Sequence, residues 1–130
     1  MITAIIVDDE KLSRNALSIQ LRKHCPQVNV LASCASGKEG LKAIQVHQPA
    51  VVFLDVEMPG MNGFEMLEQL EHISFSIIFT TGYDAYAIKA IKFSALDYLL
   101  KPIDKEDLRK SIAKISRDKE NLMDGREDEY

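Results

Sequence analysis

Short apolar runs alternate five times with longer stretches of helical period, and this alternation limits the fold more than any other feature of the chain. The runs are Ile5-Ile6-Val7, a run from Val28 to Ala32, Val51-Val52-Phe53-Leu54, Ile77-Ile78-Phe79 and Tyr98-Leu99-Leu100. Short strands that are apolar throughout suit a parallel sheet covered on both faces. Leu12, Ala16 and Ile19 recur at i, i+4 and i+7, with Leu17 and Leu21 beside them. They predict an amphipathic first helix to about His24, ended by Pro26. Ser36-Gly37-Lys38-Glu39 fits the capping box that opens a second helix, with Leu41 and Ile44 on one face and a stop near Pro49. Phe64, Leu67 and Leu70 mark a third helix. Tyr83 to Phe93 reads as a fourth, with Ala87, Ala90 and Ile91 inward. Asp104 can cap a fifth, with Leu108, Ile112 and Ile115 at i, i+4 and i+7. Strand and helix alternating in this way predict an α/β fold, (βα) five times, with helices on both faces of a parallel sheet.

The 130 residues make one domain with a usable core. The 16 Lys+Arg and 20 Asp+Glu give a net charge of −4, which argues against direct nucleic-acid binding by this segment. No stretch approaches the roughly 18 apolar residues that span a bilayer. No basic region followed by an apolar stretch opens the chain, so a cytoplasmic location without membrane contact is expected. Cys25 and Cys34 form no CxxC and read as small, partly buried residues. His24, His47 and His72 are dispersed over three helix ends and read as surface or capping groups. Met58 and Met61 read as packing residues of a loop.

The residues that follow the runs carry the chemistry. Asp8-Asp9, Asp55, Thr80-Thr81 and Lys101 come directly after four of them. In an open α/β sheet, ligands sit beyond the carboxyl ends of the strands. There, three carboxylates, a hydroxyl and an ammonium would meet. Crowded carboxylates repel, and a divalent cation relieves the repulsion. Mg2+ takes hard oxygen ligands, few carboxylates and several waters. Asp9 and Asp55 suit it as direct ligands, Asp8 partly through water, and the Glu57 backbone carbonyl as a third protein oxygen. Lys101 can neutralise Asp55 or pair with a phosphoryl oxygen. Thr81 can donate a hydrogen bond to another, with Gly82 leaving room beside it. An aspartate can act as nucleophile through an acyl phosphate.

These residues together resemble the receiver domain of two-component response regulators. The matching segments are Ile5-Ile6-Val7-Asp8-Asp9-Glu10, Leu54-Asp55-Val56-Glu57-Met58-Pro59-Gly60-Met61-Asn62-Gly63, Thr80-Thr81-Gly82 and Tyr98-Leu99-Leu100-Lys101-Pro102. Tyr83 to Ala87 and Ala95 to Ile103 are similar to the subgroup whose receivers precede a LytTR-type DNA-binding domain. The resemblance implies a flavodoxin-like doubly wound sheet of strand order 2-1-3-4-5 and a cis bond before Pro102. It implies that Asp55 is the phosphoacceptor, that Asp8 and Asp9 hold Mg2+, and that Lys101 is the family's lysine. Thr81 becomes the switch hydroxyl, with Thr80 as alternative, and Tyr98 the switch aromatic.

The resemblance also implies a sensor histidine kinase as partner. The surface of the fourth helix, fifth strand and fifth helix then becomes the switched face. Tyr83, Tyr86 and Phe93 are candidates there for a partner or homodimer contact. The expected receiver covers residues 1–117. Residues 118–130 are expected to form a charged linker, or an extension of the last helix with Leu122 on the face of Ile115, leading to an output domain. Glu57 and Tyr83 depart from the common pattern and flank the path of a water attacking the acyl phosphate. The competing reading is a Mg2+-dependent phosphohydrolase that uses Asp55-Val56-Glu57 as an acidic pair; a flavodoxin-like cofactor module lacks a Ser/Thr-rich phosphate cradle.

Overall fold

The structure is a computed structural model that describes residues 1–123. Five strands, β1 (Ile2–Val7), β2 (Val28–Cys34), β3 (Val51–Leu54), β4 (Ser76–Thr81) and β5 (Asp97–Leu100), pair in parallel in the order β2-β1-β3-β4-β5. The helices between and after them are α1 (Lys11–His24), α2 (Gly37–His47), α3 (Gly63–Glu68), α4 (Ala87–Lys92) and α5 (Lys105–Met123). This is the flavodoxin-like doubly wound arrangement expected from the sequence.

Period-two alternation along the strands feeds two apolar layers. One joins Ile2, Ala4, Ile6, Val51, Phe53 and Ile78 of the sheet to Leu17 and Leu21 of α1 and to Leu108, Ile112 and Ile115 of α5. The other joins Ile5, Val7, Val52, Leu54, Ile77 and Phe79 to Ile44, Phe64, Leu67 and Ala90 of α2, α3 and α4. Cys25 and Cys34 are free and fully within these layers, more buried than expected, and burial pushes both thiols up.

Several expectations are corrected. The face of α1 turned to the core carries Leu17 and Leu21, while Leu12 and Ile19 are exposed. Two overlapping apolar stripes run along this helix, and the branched pair four residues apart lies nearer the sheet. The fourth helix is shorter than Tyr83 to Phe93, and of its residues only Ala90 is buried. Ile91 faces outward with 74% of its surface exposed, because a helix of six residues has only one turn against the sheet. Ser36 caps α2 by accepting from the Glu39 N–H, but the Glu39 carboxylate reaches the Ala35 N–H and not that of Ser36. The reciprocal capping box belongs to Asn62 and Glu65 at the start of α3. Asp104 accepts from the N–H groups of Glu106 and Asp107 and caps α5. That helix runs on to Met123; the expected tail beyond it, like the side chain of Leu122, lies outside the described residues.

Candidate functional site

Strand register brings the polar residues to one edge. Val7 pairs with Leu54 and Leu54 with Phe79, so Asp8, Asp55 and Thr80 leave the sheet at one level. The Asp55 N–H donates to the Val7 carbonyl at 2.9 Å and the Asp8 N–H to the Cys34 carbonyl at 3.0 Å. The Lys101 N–H donates to the Thr81 carbonyl at 2.8 Å, after Thr81 has paired with Leu100. The bond between Lys101 and Pro102 is cis, as the resemblance implies.

Asp8 and Asp55 are buried, while solvent reaches Asp9. One carboxylate oxygen from each of the three lies within 4.8 Å of the others. Hard oxygen donors at this spacing fit a small divalent cation. Lys101 Nζ stands 2.7 Å from Asp8, 3.6 Å from Asp55 and 3.9 Å from Glu10. Its shortest ion pair is thus with Asp8 and not with Asp55. One ammonium does not balance this much acid. Burial first and the Asp8 charge next, with Asp9 adding, push Asp55 up to about 7 against the pull of Lys101. Burial alone disfavours the Lys101 charge, yet its hydrogen bond to Asp8 and the surrounding carboxylates hold its pKa above the ordinary value.

Thr81 is fully buried, and its hydroxyl accepts from the Tyr83 N–H at 3.3 Å. Because Phe79 pairs with Tyr98, alternation puts Thr81 and Tyr98 on one face of the sheet. Thr80 faces the other side and lines a cavity of about 420 Å3 with Leu12, Leu17, Lys101 and Ile103. Tyr98 is half-buried, 6.3 Å from the Phe79 ring centroid, and its hydroxyl donates to the Tyr83 carbonyl. Glu57 lies in the loop before α3, and its carboxylate accepts from the Tyr86 hydroxyl. Of the three aromatics expected at an outer surface, only Tyr83 is exposed. Tyr86 and Phe93 pack on Phe64, at 6.1 and 5.3 Å between ring centroids.

Four residues of the site were not singled out from sequence for these roles. The Arg14 guanidinium donates to the Asp8 carbonyl at 2.8 Å, and the Glu10 N–H to the Asp8 carboxylate at 2.9 Å. A Cβ on Gly63 would stand 2.5 Å from the Asp55 carbonyl oxygen, so only glycine lets α3 start so close to that residue. Tyr86 is the fourth. Charged residues just after Asp8 were a readable signal for the first two; the approach of Gly63 to Asp55 and the reach of Tyr86 are tertiary facts.

The family model of the response regulator receiver domain matches residues 4–113. An uncharacterized response regulatory protein of Yersinia pestis is 44% identical over 119 residues, 91% of this chain and 50% of that protein. The transcriptional regulatory protein BtsR of Escherichia coli K12 is 40% identical over 121 residues, 92% of this chain and 50% of BtsR. The chain thus spans about half the length of the curated relatives it matches. Among solved structures, the REC domain of AraT, a response regulator from Geobacillus stearothermophilus, superposes with a TM-score of 0.84 at 31% identity, covering 94% of this chain and 98% of that domain.

Proposed function

The chain belongs to the response regulator receiver family, and from that premise we propose that it accepts a phosphoryl group from a sensor histidine kinase on Asp55, with Mg2+ as cofactor. On this reading it is a signalling domain of a two-component system, and turnover of a small substrate is not its task. The observation that supports the reading most is the convergence of the Asp8, Asp9 and Asp55 carboxylates on one point beside the Lys101 ammonium.

One oxygen of the Asp55 carboxylate attacks the phosphorus, the donor's bond to phosphorus breaks, and the donor leaves with that electron pair. Bound Mg2+ supplies charge neutralisation for the carboxylates and the phosphoryl oxygens. Asp9 and Asp55 would hold it directly, Asp8 partly through water, and Glu57 by its main-chain carbonyl. With its pKa near 7, Asp55 stays partly protonated in the free domain. A cation held by the acidic cluster would favour the ionised form of Asp55, which is the nucleophile. Lys101, already within reach of both carboxylates, turns to a phosphoryl oxygen, and the Thr81 hydroxyl donates to another. Tyr98 then moves into space that Thr81 leaves. The alternative phosphohydrolase needs Glu57 as its second acid, and Tyr86 occupies that carboxylate.

The receiver takes in residues 1–117; residues 118–123 continue α5, and we read the segment 118–130 as the connection to an output domain of the LytTR DNA-binding type. The net charge of −4 argues against direct nucleic-acid contact by the segment itself. Among the described residues no helix is long and apolar enough to cross a membrane, and a cytoplasmic site of action follows from a kinase partner of this kind. The α4-β5-α5 face carries the change outward and is the candidate homodimer contact. Incubation with labelled acetyl phosphate and Mg2+ tests the assignment. Wild type takes up one acid-stable, base-labile label per chain, and Asp55→Asn takes up none. Equal labelling of Asp55→Asn would remove Asp55 from the role.

A further inference from the structure

Glu57 and Tyr86 line a cleft of about 460 Å3 together with Val56, Met58, Pro59 and Asn62. Its lining residues Val56 and Glu57 directly follow Asp55 in the chain. We propose that the Tyr86–Glu57 hydrogen bond is a latch that holds the entry of α4 against the loop following Asp55 and favours the unphosphorylated arrangement. The inference rests on Asp55 being the phosphoacceptor.

α4 has little else to fix its start. Tyr86 is its N-cap residue and makes no side-chain cap, and the helix buries Ala90 alone. Gly82 through Ala85 are exposed. The segment is tied down by side chains instead. The Tyr86 ring packs edge-on against Phe64 and Tyr83, and its hydroxyl reaches Glu57. The Tyr83 carbonyl accepts from the Tyr98 hydroxyl, and the Tyr83 N–H donates to the Thr81 hydroxyl. A continuous path therefore runs from Glu57 through Tyr86 and Tyr83 to Thr81 and Tyr98. Movement of Thr81 toward a phosphoryl group on Asp55 pulls on the Tyr83 backbone, and the latch resists that pull from the other end. An interaction made only in the resting arrangement lowers affinity for whatever selects the other one.

Beryllofluoride with Mg2+ serves as a non-covalent phosphoryl mimic, with binding followed by calorimetry on the 130-residue chain. Tyr86→Phe keeps the ring on Phe64 and loses only the hydroxyl. It tightens beryllofluoride binding about two- to tenfold, the size of one hydrogen bond, and leaves the affinity for Mg2+ alone unchanged. Glu57→Gln, whose amide oxygen still accepts, tightens less than Tyr86→Phe. In the Glu57→Ala background, Tyr86→Phe changes nothing further. Unchanged or weaker binding by Tyr86→Phe in wild type, or an equal gain in the Glu57→Ala background, overturns the latch. Failure of wild type itself to bind the mimic or take up label removes the phosphoacceptor reading, and the latch with it.

Discussion

The two sides of the sheet are built differently. On the α1-α5 side, α5 is a long helix that sets Leu108, Ile112 and Ile115 into a layer with Leu17 and Leu21 that is aliphatic apart from Phe53. A polar tie reinforces it. Asp97 at the start of β5 accepts from Ser111 and Lys114 of α5, and these bonds with the Tyr98 N–H hold its pKa below the usual carboxylate range although burial opposes its charge. On the α2-α3-α4 side the layer is richer in aromatics, with Phe64, Phe75 and Phe79 buried among aliphatic residues and Tyr86, Phe93 and Tyr98 around them. Two of its helices are six residues long, and α4 contributes one buried alanine. A flat ring can shift against another ring and keep most of its contact area. Interdigitated aliphatic side chains cannot, since protein cores are close-packed. A charge change at the strand ends therefore moves the α4 side most easily.

The largest effect expected from this contrast is on stability. Ile112→Ala removes a fully buried side chain from the α5 layer and costs about 2–5 kcal/mol in urea denaturation. Ala90→Gly removes the buried contact of α4 and costs about 1 kcal/mol, mostly helix propensity. Comparable costs for the two would show that α4 is held as firmly as α5, and the contrast would fail.

An effect of similar order concerns the strand ends, where Asp55 sits. Its pKa stands at about 7 in the folded domain against roughly 3.9 in the unfolded chain. Between these values the folded state binds more protons than the unfolded one, so stability falls as pH rises through that window. At about 1.4 kcal/mol per pKa unit the loss by pH 7 is at most on the order of 4 kcal/mol, with the Asp8 and Asp9 charges among its causes. Thermal melts from pH 4.5 to 7.5 should show this decline in wild type, a flatter profile in Asp55→Asn, and a flatter profile again when Mg2+ is added. A wild-type profile that rises over this range would mean that Lys101 outweighs the acids.

The strands and their order of chemistry could be read before any coordinates. Five apolar runs and the residues after them depend on local pattern and on the rule that ligands gather at carboxyl ends, and Asp8, Asp9, Asp55 and Lys101 do meet there. What misled was helical phase. α1 offers two apolar stripes, and only the sheet decides that Leu17 and Leu21 go in while Leu12 stays out. In α4 every residue but the lysines is apolar, so period alone could not tell Ala90 from Ile91. The Tyr86–Glu57 contact joins residues 29 apart through hydroxyl and carboxylate, and no local rule pairs them. Gly63 stood in the sequence only as the end of a matching segment, and its constraint is the Asp55 carbonyl in front of it.

The smallest expected effect sharpens the contrast at its outer surface. Ile88 and Ile91 of α4 are 75% and 74% exposed, and Leu100 of β5 is exposed as well. Side chains this open contribute little to a monomer, so Ile91→Ser should change the denaturation midpoint by no more than about 0.5 kcal/mol equivalent. Apolar groups left bare on an easily moved helix are suited to contact made after switching. Sedimentation of the beryllofluoride-treated chain separates the possibilities. If the α4-β5-α5 face joins two copies, wild type gains mass and Ile91→Ser does not, at unchanged stability. A cost above about 1 kcal/mol for Ile91→Ser would instead place its side chain in the fold, and α4 would then be anchored by more than Ala90 and the bonds of its aromatic neighbours.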